Sequence, residues 1–188
     1  DQLPGLEIIS SYSSGLDNID VAAALARGIA VAHAPQVLAE PVADIALALA
    51  LDVMRGVTAG DKYVRAGRWG TEGNMPLATF CGGKRAGILG LGRIGSAVAR
   101  RLQACGMSIA YCGRKRQVGV THEYYADLQA MARDCDLLVV CCLATPATRS
   151  MVNADVLRAL GPKGFLVNVS RGSVIDEPAL IQALREGT

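Results

Sequence analysis

The hexapeptide GLGRIG, Gly90 to Gly95, constrains this chain more than any other stretch. It follows directly on the apolar segment RAGIL, and it opens a segment in which Ile94, Ala97, Val98, Leu102 and Cys105 recur at the spacing of one helical face. A strand, a tight glycine turn and a helix in that order are the opening of a dinucleotide-binding βαβ unit. Each glycine answers a separate demand: Gly90 permits the turn, Gly92 lets backbone come close to a pyrophosphate, and Gly95 lets helix and strand touch. The free N–H groups and the dipole of the helix start then favour the phosphate charge.

The pattern continues regularly on the C-terminal side. RAGILG, MSIAY, DLLVVCC and GFLVNV read as strands, with helices expected at about 92–105, 123–133 and 153–160 and a fourth starting near Glu177. Strands alternating with helices predict an α/β fold, a Rossmann-type doubly wound parallel sheet covered on both faces. Upstream, LEIISSY reads as a buried strand, DVAAALARG as a helix closed by Gly28, and IAVAHAP as a strand stopped by Pro35. In EPVADIALALALDVMRG, Pro41 suits a first helical turn and Val42, Ile45, Ala46, Leu49 and Val53 mark one apolar face. Leu47 and Leu51 make the other side apolar too, so this helix is expected to be covered on more than one face, between domains or subunits. Residues 59–83 read as a helical piece followed by an irregular arm. The series stops at Thr188 where a further strand would follow, and the chain therefore reads as a fragment.

Charge is nearly balanced, with 19 basic against 17 acidic side chains among 188 residues, so no global field draws in nucleic acid or an anionic membrane. No apolar run is long enough to span a bilayer. The six cysteines (Cys81, Cys105, Cys112, Cys135, Cys141 and Cys142) form no C-x-x-C pair, and no histidine stands at metal-ligand spacing. They are expected to be buried, reduced thiols in a cytoplasmic protein that holds no metal.

Against that neutral background, YCGRKRQ at 111–117 is informative. A carboxylate is expected at the end of the second strand when the cofactor is NAD, because it can accept from the adenosine ribose hydroxyl; it would repel the 2′-phosphate of NADP. Gly113 takes the place of that acid, and Arg114, Lys115 and Arg116 follow. The turn predicts a preference for NADP, with NAD still possible. A second informative segment is LVNVSRGSVIDE, which delivers Ser170, Arg171 and Gly172 to the carboxyl edge of the sheet. An arginine there presents a planar fork suited to a carboxylate and an adjacent carbonyl, although spacing alone allows a structural arginine equally well.

Together, GLDNIDVAAALARGIAVAHAP, VADIALALAL, GILGLGRIGSAVA and CLATPATRSMVNADVLRALGPKGFLVNVSRGSVIDEPAL resemble the D-isomer-specific 2-hydroxyacid dehydrogenases over nearly the whole chain. DKYVRAGRW and the basic turn resemble the glyoxylate, hydroxypyruvate and hydroxyphenylpyruvate reductase branch. The resemblance implies part of a flavodoxin-like substrate domain at 1–40, an interdomain helix and dimerisation arm at 41–83, and a dinucleotide-binding domain at 84–188. It implies that Leu91, Gly92, Arg93 and Ile94 hold the pyrophosphate, that Gly113, Arg114 and Lys115 hold the 2′-phosphate, and that Thr145, Pro146, Val169 and Ser170 contribute to the cofactor site. Arg171 would bind a small 2-oxo acid and polarise its ketone, and the loop of Ser13, Ser14 and Gly15 would receive the acid's carboxylate. Ser13 and Ser14 stand where the family commonly has Gly and Val. The family's proton-donating histidine and its glutamate partner normally lie beyond this stretch; neither His33 nor His122 is expected to take that part. The expected function is NADPH-preferring reduction of glyoxylate or hydroxypyruvate by a homodimer. The alternatives are hydroxyphenylpyruvate reduction, or a dinucleotide-sensing, corepressor-like interaction protein.

Overall fold

A computed structural model describes residues 3–13, 15–34 and 37–188. Its larger sheet has five parallel strands: β3 (Arg85–Leu89), β4 (Ser108–Cys112), β5 (Glu123–Tyr125), β6 (Leu137–Val140) and β7 (Phe165–Asn168). Their spatial order is β5-β4-β3-β6-β7, so the chain leaves β3 for one side and returns to its other side with β6. That reversal puts a crevice at the carboxyl end of β3, the place where ligands of doubly wound sheets bind.

The pleat divides the core in two. Ala86, Ile88, Ile109, Leu137 and Val139 point to a face covered by α5 (Arg93–Ala104) and α2 (Ala39–Arg55). Leu89, Ala110, Leu138 and Val140 point to the other, covered by α6 (Leu128–Arg133), α7 (Ala154–Leu160) and α8 (Glu177–Glu186). All four residues of β6 are fully buried, as a central parallel strand requires. Each such side chain contributes about 1.5–3 kcal/mol of burial. Asp127, Asn153 and Asp176 cap α6, α7 and α8 by accepting backbone N–H groups, which fixes where each helix starts.

At the N-terminal end, β1 (Ile8–Ser11) and β2 (Ala30–His33) form a parallel pair joined by α1 (Val21–Ala26), whose first turn is capped by the Asp20 carboxylate. The βαβ reading of this region holds. The expected burial of LEIISSY does not, because Ile8 is 56% exposed in a sheet of two described strands. Pro35, expected to stop β2, lies outside the described residues.

Three further expectations need correction. Residues 123–133 are not one helix: 123–125 pair with β4 as the edge strand β5, and only Leu128–Arg133 is helical. Tyr124 and Tyr125 fit a strand better than a helix interior, and the Asp127 cap marks the true start. Strand β6 ends at Val140, so Cys141 and Cys142 lie beyond it at the site edge. In α2 the buried residues are Ala39, Ala43, Ala46, Ala50 and Met54; of the five residues read as one apolar face, only Ala46 is among them. Small alanines let α2 lie close against α5, and Arg101 of α5 locks the contact through Glu40 at 2.8 Å and Asp44 at 2.6 Å. Ile45, Leu49 and Val53 are left exposed. After a left-handed Gly56 come α3 (Val57–Arg65), α4 (Arg68–Glu72) and an irregular stretch to residue 84.

Candidate cofactor and substrate site

The glycine turn behaves as its spacing requires. Gly90 has φ +92°, and a Cβ there would lie 2.6 Å from the Cys142 Cα. A Cβ on Gly95 would lie 2.2 Å from the Gly90 carbonyl oxygen, so α5 can meet β3 this closely only without a side chain. Gly92 differs: it is exposed, it caps α5, and a Cβ there would meet nothing within 4 Å. The open space above Gly92 is therefore available to an anion facing the helix start. Leu91 is buried, Ile94 is half-buried against the core, and Arg93 is exposed.

The strand ends are stitched together around this turn. Gly90 N–H donates to Cys112 O at 2.8 Å, Cys141 N–H to Leu89 O at 2.8 Å, and Val169 N–H to Val140 O at 3.1 Å. The Ser170 hydroxyl donates to the Cys142 carbonyl at 2.5 Å. Burial pushes the Cys135 thiol up to about 11 and the Cys141 thiol up to about 12, so both are protonated packing groups rather than nucleophiles. All six cysteines are free.

Beyond β4, the turn of Gly113, Arg114, Lys115 and Arg116 is open to solvent and holds no carboxylate; none of its three cations is ion-paired among the described residues. Its two ends are fixed. The Tyr124 hydroxyl donates to Gly113 O at 3.2 Å, and Gln117 N–H donates to the buried Tyr111 hydroxyl at 2.8 Å. The Gln117 side-chain amide then donates to Leu91 O at 2.7 Å, tying the basic turn to the glycine turn. Gln117 and the tyrosine pair, with ring centroids 5.3 Å apart, carry no motif that would have revealed them.

Arg171 leaves β7 at the same sheet edge. Asn168 holds the intervening backbone by accepting from Ser170 N–H at 2.9 Å and donating to Arg171 O at 3.0 Å. A polar residue closing an apolar strand was the one sequence signal for it. The Arg171 guanidinium donates from Nε and Nη2 to the two oxygens of Asp17, each at 2.9 Å, and from Nη1 to Ser170 O at 3.1 Å. The hydrogen bonds from Arg171 hold the Asp17 carboxyl below its ordinary value, and Asp17 raises the arginine in turn. This partner, from the β1–α1 loop, could not be foreseen from the sequence. A cleft of about 660 Å³ opens beside the pair, lined also by Thr145, Pro146, Arg149 and Ser173. Thr145 and Pro146 lead a short 3₁₀ turn closed by reciprocal Thr145–Thr148 hydrogen bonds.

Gly15 and Arg171 are brought together, since a Cβ on Gly15 would lie 2.8 Å from Arg171 Nη2. Ser13 turns inward and donates its hydroxyl to Gly15 O at 2.5 Å, which leaves that proton unavailable to a ligand. Ser14 lies outside the described residues. His122 directly precedes β5, on the far side of the basic turn from Arg171. Among the described residues no group of three or more potential ligands could hold a metal ion.

The NAD-binding domain of the D-isomer specific 2-hydroxyacid dehydrogenases matches residues 47–188. A hydroxyphenylpyruvate reductase of Plectranthus scutellarioides is 46% identical over 100% of this chain and 59% of its own length. A glyoxylate/hydroxypyruvate reductase of Arabidopsis thaliana is 45% identical over 98% of this chain and 59% of its own. Among solved structures, an NADPH-dependent glyoxylate/hydroxypyruvate reductase from Sinorhizobium meliloti, in complex with NADP and malonate, superimposes with a TM-score of 0.91. It is 47% identical over 98% of this chain and 58% of that one. The chain thus spans less than two thirds of the length of these relatives. With the glycine turn, the parallel sheet and the match over most of its residues, the chain belongs to the D-isomer-specific 2-hydroxyacid dehydrogenase family.

Proposed function

We propose that the protein is an NADPH-preferring reductase of small 2-oxo acids, glyoxylate or hydroxypyruvate, yielding the 2-hydroxy acid. The observation that carries this reading is the turn from Gly113 to the exposed Arg114, Lys115 and Arg116, three cations without an ion pair among the described residues where an NAD enzyme would carry a carboxylate. Arg114 and Lys115 would meet the 2′-phosphate, and the helix start at Gly92 the pyrophosphate, with Arg93 adding charge beside it. Thr145, Pro146, Val169 and Ser170 would line the path to the nicotinamide end. When bound, the cofactor would supply a hydride to C2 of the keto acid, and the ketone oxygen would take a proton from a general acid or from water. Arg171 would grip the acid's carboxylate and stabilise charge on its ketone oxygen, with backbone N–H groups of the Ser13 to Gly15 loop receiving the carboxylate. The S. meliloti reductase, NADPH-dependent by description, supports the cofactor choice. The 46% identical relative keeps hydroxyphenylpyruvate as the second substrate to try.

Six free thiols favour a reducing, cytoplasmic setting, and no described helix is long and apolar enough to cross a membrane. A second copy of the chain is the proposed cover for the exposed face of α2.

The test is a pair of cofactor titrations on the full-length protein, during turnover of glyoxylate, hydroxypyruvate and hydroxyphenylpyruvate. The wild type should favour NADPH. Gly113→Asp with Arg114→Ala should move preference toward NADH by about two powers of ten, through cofactor KM rather than kcat. A wild type that prefers NADH would show the three cations to be a solvated turn only.

A further inference from the structure

An arginine side chain has five N–H donors on three nitrogens, arranged as a side-on edge (Nε and one Nη) and an end-on edge (both Nη). In Arg171, Nε and Nη2 give one hydrogen each to the two oxygens of Asp17, and Nη1 gives one to the carbonyl of the adjoining Ser170. Three of five donors are spent. Among the described residues one N–H on Nη1 and one on Nη2 remain unspent, and the one on Nη2 belongs to the end-on edge. The guanidinium borders the cleft that Asp17 also lines, and Gly15 stands beside it, a Cβ there lying 2.8 Å from Arg171 Nη2.

We propose that Asp17 is a positioning residue for the reaction, clamping the side-on edge of Arg171 so that its end-on pair is presented to the 2-oxo acid. The inference rests on the reading of Arg171 as the substrate-gripping group. The alternative geometry is competition, with Asp17 sitting where the substrate carboxylate must sit. Donor counting favours the clamp, because a bidentate carboxylate on the side-on edge leaves one N–H unspent on each terminal nitrogen. A single carboxylate cannot cover both edges. Asp17 also crosses from the β1–α1 loop to the end of β7, so it fixes the arginine relative to the loop expected to receive the acid.

The experiment compares wild type, Asp17→Asn, Asp17→Glu, Arg171→Lys and the double variant Asp17→Asn with Arg171→Lys, all in the full-length protein. Glyoxylate turnover, NADPH affinity by fluorescence and affinity for malonate as an unreactive carboxylate are read for each. Asp17→Asn should lower kcat/KM about ten- to a hundredfold and weaken malonate, the size expected for lost charge-assisted hydrogen bonds, with NADPH affinity within about twofold of wild type. Asp17→Glu, which keeps the carboxylate, should recover part of that loss. On Arg171→Lys the Asn substitution should cost less than about threefold, since the fork it aims is already gone. Tighter malonate binding or unchanged turnover in Asp17→Asn would overturn the clamp while leaving Arg171 in its role. So would a full additional loss in the double variant, or NADPH affinity falling in step with turnover. Wild-type turnover in Arg171→Lys would remove the underlying reading and the clamp with it.

Discussion

Gly92 and Gly95 belong to one motif yet answer to opposite physical demands. The missing side chain of Gly95 is needed by the protein, because a methyl there would collide with the Gly90 carbonyl at 2.2 Å. That of Gly92 is needed by nothing among the described residues, since a methyl there meets no atom of theirs within 4 Å. Gly95→Ala should therefore destabilise by about 1–3 kcal/mol, the usual cost of overpacking, or prevent folding. Gly92→Ala should melt within a degree or two of wild type and bind the dinucleotide at least tenfold more weakly. Thermal unfolding alongside NADPH titration separates the two, and equal losses of stability would refute the distinction. At this scale the sequence was readable wherever a residue's role is local. Gly90, Gly92 and Gly95 announced themselves by spacing, whereas Arg171 was singled out by the family resemblance, its spacing alone allowing a structural arginine equally well. Asp17 and Gln117 did not, because each acts through a partner distant in sequence, Arg171 and Leu91 respectively, and side-chain pairing at long range leaves no periodic trace.

The elements were legible in proportion to how far packing agreed with pattern. The strands β3, β4 and β6 were found because a strand buried on both faces is a short apolar run, and the half-buried edge strand β7 was found because its first three residues are apolar. The edge strand β5 was lost in a helix because three residues carry too little period to outvote their neighbours. Helix α2 shows a different limit. Its sequence is apolar nearly all round, so hydrophobicity said that both sides were wanted but not which one faces the chain's own core. Alanine settled that, since small residues admit the backbone of α5, and the larger Ile45, Leu49 and Val53 were left outside at 58%, 41% and 45% exposure. Val57, Val64, Trp69 and Phe80 are likewise exposed in α3, α4 and the irregular stretch. Large apolar side chains exposed in this number are costly to leave wet, and the proposed homodimer would cover those of α2. Leu49→Arg with Val53→Arg should shift full-length protein from dimer toward monomer in sedimentation at micromolar concentration, without unfolding α2. A wild type already monomeric there would exclude this role for the helix.

At the scale of the whole molecule, the site is assembled from two regions of very different locality. The glycine turn, the basic turn and the bond that ties them all lie within residues 90–117, on neighbouring strands of one sheet. Arg171 meets Asp17 across a separation of 154 residues. In kinetic terms this pair is among the least local contacts in the chain, and closing it before either sheet exists would forfeit chain entropy with almost nothing in return. The half proposed to bind phosphate should thus mature first during folding and the half proposed to grip the acid last, leaving an interval in which, on that proposal, the chain could hold a dinucleotide but not yet a substrate. Pulse-labelled hydrogen exchange would show amides of β3, β4 and β6 protected before those of β1 and the loop leading to Asp17. Simultaneous protection would mean that the two sheets fold as one unit, and the order of assembly would then carry no such interval.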